Sequence, residues 1–199
     1  MTKYVLNSGG LKNQPGRSKK FLAEIVKGLG DKPKILVCLF AQPREDWETK
    51  FQQYYDGFFK MMPNGVKAGF SLAMPNTFED QVAVSDIIYF HGGDDHLLKY
   101  WMSKFDIPRL WEGKVVAGSS AGSDFLCKSH WSCDWRQCLD GLGILPIKFL
   151  PHLNSDFGDD DPIRGSIDWD KAKIELENYG DKSLPVYALE EGEFVIIEK

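Results

Sequence analysis

Three times in the first 122 residues an apolar, β-prone run stops at a turn made of small residues. Tyr4 to Leu6 leads to Ser8-Gly9-Gly10, Ile87 to Phe90 leads to His91-Gly92-Gly93, and Val115 to Ala117 leads into Gly118-Ser119-Ser120-Ala121-Gly122. A further run, Ile35 to Phe40, is apolar without a break, as expected of a strand buried on both faces. Helical patterns lie between these runs. Positions 21, 22, 25, 26 and 29 form one apolar face ending at Gly30; Trp47 to Met62 is long enough for a helix and closes at Pro63-Asn64-Gly65; Leu97 to Phe105 is also helical. Val66 to Ala73 reads as another strand. Strand and helix in this alternation predict an α/β three-layer sandwich with a mostly parallel central sheet. Such sheets carry their sites at the carboxyl ends of strands, where all three small-residue turns fall.

Composition fits one soluble globular domain over residues 1–199, with 43% hydrophobic and 27% charged residues. The formal net charge of −5 argues against a nucleic-acid partner. The first residues show no basic segment followed by a long apolar run, and the longest apolar stretch, ILVCLFA from Ile35, is about a third of a membrane span. A cytoplasmic protein with no membrane partner and reduced cysteines is therefore expected. Cys127, His130, Cys133 and Cys138 are zinc-compatible ligand types, but C-x2-H-x2-C-x4-C matches no standard zinc module, so neither metal nor cofactor is expected. Beyond Gly122 the alternation fades. Leu139 to Leu150 is loop- and strand-like, Asn154 to Asp161 is rich in Asp, Ser and Gly, and Pro185 to Ile197 reads as a terminal hairpin turning at Glu191-Gly192.

Gly118-Ser119-Ser120-Ala121-Gly122 matches the G-x-S-x-G nucleophile elbow. A serine on a sharp strand-to-helix turn needs small neighbours, because larger ones would clash with the strand and the helix. The amide after the serine, that of Ala121, would then face a developing oxyanion. The following DFLCKS is helix-compatible. A base is also required, and the histidines are His91, His96, His130 and His152. His130 falls within or just past the elbow helix and is expected to point away. His152 follows the strand-like ILPIKFL and a proline, near a strand end.

These segments, in this order, resemble the dipeptidase E and cyanophycinase family of serine peptidases. FHGGDDHLL (90–98) is similar to the family's glycine-rich GGGNT-type segment, and GSSAGS (118–123) to its GxSAG elbow. GLGILPIKFLPH (141–152) is similar to the segment carrying the catalytic histidine, and ALEEGE (188–193) to a late strand-turn with Glu-Gly. The resemblance implies a class I glutamine amidotransferase-like fold and hydrolysis of small peptides, an aspartyl dipeptidase being expected. It implies Ser120 as nucleophile and His152 as base. Family members place the acid between these two, which makes Asp134 the match, with Asp140 and Glu191 as rivals. The oxyanion hole is expected from Ala121 and the Gly92 and Gly93 amides. His91 stands where the family has its first glycine, and Asp94-Asp95 replaces Asn-Thr; these carboxylates are candidates for holding a substrate ammonium or repelling acidic substrates. The family binds the aspartyl side chain with an arginine downstream of the histidine, for which Arg164 is the candidate.

Three other readings compete. HGG at 91–93 also resembles the oxyanion motif of α/β-hydrolase esterases, but the 29-residue spacing to Ser120 is too short and no histidine follows His152. A cyanophycinase-like peptidase shares the same motifs. A catalytically inactive binding protein on the same fold is favoured by the departures at 91, 94 and 95. Oligomeric state is not encoded in any of these motifs.

Overall fold

The computed structural model describes residues 1–199. The small-residue turns lie at the ends of neighbouring strands. A six-stranded sheet runs in the order β10-β1-β5-β4-β2-β3. Its members are β1 (Lys3–Asn7), β2 (Lys34–Cys38), β3 (Gly69–Leu72), β4 (Ile87–Phe90), β5 (Val115–Ser119) and β10 (Phe194–Glu198). All pairings are parallel except that of β10 with β1. The register Phe90↔Gly118 and Asn7↔Ser119 brings the turns after β1, β4 and β5 together at one edge.

Helices cover both faces. They are α1 (Pro15–Val26), α2 (Trp47–Asp56), α3 (Phe78–Ala83), α4 (Asp95–Met102), the one-turn α5 (Ala121–Asp124) and α6 (Trp169–Asn178). Successive residues of β4 show why IIYF is unbroken. Tyr89 packs on Phe21 and Phe58, each with ring centroids 6.1 Å away. Phe90 packs on the opposite face, 5.5 Å from Trp111 and 4.8 Å from Phe125. A strand alternates its side chains between faces, so a sheet covered twice needs apolar residues at every position.

A second sheet has the order β7-β6-β8-β9, from β6 (Cys127–Ser132), β7 (Gln137–Asp140), β8 (Leu145–Leu153) and β9 (Val186–Glu190). Here the sequence expectations need correction. The segment after the elbow makes only one helical turn before entering β6, so His130 is a buried strand residue rather than part of a helix. The Pro185–Ile197 segment is not a hairpin: β9 pairs in parallel with β8, while β10 pairs with β1 of the other sheet. The Glu191-Gly192 turn therefore spans from one sheet to the other. Nor does sequence periodicity announce α6, which buries only Ala172 and Leu176. Asp168 caps its first turn, accepting from the Lys171 amide at 3.0 Å. The fully buried Lys148 donates to its last carbonyls, Leu176 and Glu177, each at 2.9 Å.

Candidate active site

Ser120 sits between β5 and α5 with φ 53° and ψ −123°, a conformation a non-glycine residue holds only when its surroundings enforce it. Its amide donates to Asn7 O at 3.0 Å, and its carbonyl accepts from the Ser123 and Asp124 amides, at 2.6 and 3.0 Å. The flanking glycines are demanded by contact: a Cβ on Gly118 would collide with the Gly122 carbonyl, and one on Gly122 with the Phe90 carbonyl.

His152 projects from β8, where pairing with β9 loses register between Leu150 and Leu153 and the backbone turns to φ 56°. The Ser8 hydroxyl accepts from its amide at 2.8 Å and donates to Leu189 O at 2.8 Å, tying the turn after β1 to β8 and β9. The ring is aimed at the elbow, with Nε2 3.1 Å from Ser120 Oγ. Its other nitrogen, Nδ1, lies 2.8 Å from Glu191 Oε1. Gly9 lets the ring approach closely, since a Cβ there would stand 2.5 Å from His152 Cε1 and Nε2. Burial lowers the His152 pKa below 6.5, opposed by the hydrogen bond and charge of Glu191. The imidazole is thus neutral near pH 7. With Nδ1–H donated to Glu191, Nε2 is free to accept from the serine hydroxyl.

Asp134 was the acid expected from the resemblance, and the geometry corrects this: the carboxylate on His152 is that of Glu191. Asp134 lies in the turn after β6, where its carbonyl accepts from Arg164 at 2.7 Å. Asp140 ends β7, with its carbonyl accepting from Lys99 at 2.6 Å. Arg164 is held by Asp161, with Nε 2.5 Å from Oδ2, and does not line the cleft above Ser120. Asp94 and Asp95 do not line it either. Asp94 caps α4 by accepting from the Leu97 amide at 2.7 Å, and Asp95 is buried beneath the loop.

The amides of Gly92, Gly93 and Ala121 find no acceptor within the chain. A Cβ on Gly92 would lie 3.0 Å from Ser120 Cβ, so this loop runs directly against Ser120. Sequence reasoning missed what fixes it. The Gly92 carbonyl accepts from Gln42 Nε2 at 2.5 Å and from His91 Nδ1 at 2.5 Å. Tyr54 donates its hydroxyl to His91 Nε2. Burial drops the His91 pKa to about 4, so the ring is neutral, with one donor and one acceptor nitrogen, as this relay requires. Because a trans peptide sets C=O and the following N–H in opposite directions, anchoring the Gly92 carbonyl turns the Gly93 N–H the other way.

A cleft of about 680 Å³ opens over Ser120 and His152. Lys12 and Lys50 line it and no aspartate or glutamate does. Lys50 donates to Gln42 Oε1, linking it to the same relay. Neither lysine carries a sequence motif; they follow β1 and β2 and reach the cleft only through the sheet order.

A serine on a strained elbow, a histidine on its hydroxyl and a carboxylate on that histidine, at the carboxyl ends of parallel strands, define a serine hydrolase. A match to peptidase family S51 spans residues 4–199. The chain belongs to this family and is a serine-type peptidase. No curated protein matches the chain. The fold is similar to that of a peptidase from an acI-B1 Actinobacterium, with a TM-score of 0.65 at 22% identity, covering 99% of this chain and 83% of that one. It is also similar to a putative peptidase E protein from Listeria monocytogenes EGD-e, with a TM-score of 0.67 at 15% identity, covering 99% and 94%. No helix is long and apolar enough to cross a membrane.

Proposed function

We propose that the protein hydrolyses short peptides bearing an N-terminal acidic residue, using Ser120 as nucleophile, His152 as general base and acid, and Glu191 as the group that orients and charges the imidazole. The reading rests on the unbroken chain from Ser120 Oγ through His152 to Glu191, at 3.1 and 2.8 Å. Ser120 attacks the scissile carbonyl as its proton passes to His152 Nε2. The tetrahedral oxyanion is received by the Ala121 amide and by the 92–93 loop. His152 returns the proton to the leaving amine, and water repeats the sequence on the acyl-enzyme. Asp134 makes no hydrogen bond to His152 and acts on it only through its charge, which with that of Glu191 raises the imidazole pKa.

The acidic preference follows from the charge of the cleft rather than from Arg164. Two lysines line it without a lining carboxylate, Lys50 also pairing with Asp46 at 3.4 Å, so the charge of the lining favours a substrate carboxylate. A panel of Asp-X, β-aspartyl, Ala-X and Lys-X dipeptides, assayed with wild type and Ser120→Ala, tests both parts. Turnover of Asp-X peptides by wild type, lost in Ser120→Ala, is expected. Hydrolysis persisting in Ser120→Ala refutes the nucleophile, and a preference for Lys-X refutes the specificity.

A further inference from the structure

Beneath the 91–95 loop, three side chains from different elements converge: Asp95 from the first turn of α4, Asp124 from the end of α5 and His130 from β6. All three are buried, at 7%, 2% and 3% exposed. One ligating atom from each lies within 4.8 Å of the other two, and His130 Nε2 is 3.8 Å from Asp95 Oδ1. We propose that this cluster binds a first-row divalent cation, Zn²⁺ or Mn²⁺, as a structural clamp under the oxyanion loop.

Unmet bonding capacity is the main support. Asp95 Oδ1, Asp124 Oδ1 and both ring nitrogens of His130 are buried without a hydrogen-bond partner, although buried polar groups are almost always paired. Ser132 donates to Asp95 Oδ2, which holds that carboxylate and leaves Oδ1 directed at the cluster. No lysine or arginine forms an ion pair with Asp95 or Asp124: Lys99, on the adjoining cavity of about 70 Å³, donates instead to Asp140 O at 2.6 Å. His96 lines the same cavity.

Two buried carboxylates side by side cannot both stay ionised unless something neutralises them. A proton shared between the aspartates would satisfy their oxygens but leave both nitrogens of His130 unpaired. A cation takes one oxygen from each aspartate and one of the two His130 nitrogens at once. The donor set, two carboxylate oxygens and an imidazole nitrogen, suits zinc or manganese. Ligands about 2.1 Å from a common ion stand roughly 3.0–3.4 Å apart, so the 3.8 Å pair needs to close by roughly 0.4–0.8 Å, and any pair at the 4.8 Å limit of the set by roughly 1.4–1.8 Å. The cysteines are not part of this set. Cys127 donates to Ser123 O at 3.4 Å and Cys133 to Pro151 O at 3.5 Å.

Position gives the site its consequence. Asp95 follows the Gly92-Gly93 amides in the same loop, and Asp124 closes the one-turn helix that begins at Ala121. An ion bridging them joins the two segments that carry the oxyanion donors.

Chelator-stripped full-length protein, titrated with ZnCl₂ or MnCl₂ and followed by calorimetry and thermal melting, tests the proposal. One ion per chain is expected, with a rise in Tm of roughly 5–10 °C at a hundredfold excess over Kd. Asp124→Asn and His130→Gln should lose the rise, and Cys133→Ser with Cys138→Ser should keep it. Co²⁺ loaded into the wild type reads the ligands without any variant: absorption lacking a sulfur-to-cobalt charge-transfer band supports the site. No binding of either ion by wild type, a strong sulfur band, or undiminished binding in both Asp124→Asn and His130→Gln overturns it.

Discussion

Replacing Glu191 with glutamine removes one charge while keeping the size and position of the side chain. The carboxylate stands 2.8 Å from His152 Nδ1 and is 17% exposed, so little water intervenes. When His152 takes the Ser120 proton, a full positive charge forms beside it. Two unit charges 2.8 Å apart attract by about 6 kcal/mol at an effective dielectric constant of about 20. About 1.36 kcal/mol changes a rate tenfold, which sets the loss on the order of 10⁴ in kcat. The same loss follows from tautomer choice. A glutamine amide can donate to Nδ1, which leaves the proton on Nε2 and deprives Ser120 of its acceptor. Stopped-time assays of Asp-X hydrolysis should show this drop for Glu191→Gln, whereas Asp134→Asn stays within a few-fold of wild type. The pH profile adds an independent sign. His152 lies below 6.5 because burial outweighs the help of Glu191, so the acid limb of wild-type kcat/KM falls below pH 6.5. Without Glu191 the protonated ring loses its partner, and the limb of the residual activity moves to still lower pH. Near-normal kcat in Glu191→Gln, a large loss in Asp134→Asn, or a limb moving to higher pH refutes the reasoning.

Two further outcomes follow from the cleft. Lys12→Ala should cut kcat/KM for Asp-X peptides about 10- to 100-fold, the range of one charge-assisted contact, and spare Ala-X peptides; Arg164→Ala should leave both within about twofold, and the reverse pattern would return specificity to Arg164. Gln42→Ala frees the Gly92 carbonyl and should lower kcat by about tenfold or more with KM little changed, since an oriented oxyanion donor acts chiefly in the transition state; a pure KM effect in steady-state kinetics would assign Gln42 to substrate binding instead.

How much could be read from the chain alone depended on how local each feature is. The elbow is local: Gly118, Ser120 and Gly122 fall within five consecutive positions, and both glycines are required by backbone carbonyls that a Cβ would strike. The strands before the three turns are local too, because a sheet covered on both faces leaves no polar position in IIYF or VVA. His152 could be placed near a strand end from the run that precedes it. The one-turn length of α5 was not legible, since DFLCKS suits a helix as well as a strand and only packing decides between them. Neither was α6, whose buried face is two residues.

Sequence by itself thus determined the α/β alternation and the elbow motif around Ser120, because each is written in a few contiguous residues obeying steric and periodic rules; His152 was singled out among four histidines by its place near a strand end together with the family resemblance. Tertiary structure alone decided which carboxylate meets His152. Asp134 is nearer in sequence, yet β9 and β10 join different sheets, and the turn between them carries Glu191 across to the imidazole. It also decided that Lys12 and Lys50 line the cleft, that Gln42 and His91 hold the Gly92 carbonyl, and that Asp95, Asp124 and His130 meet. These are contacts between distant segments, fixed by strand order and register, and no short-range pattern of residue types encodes them.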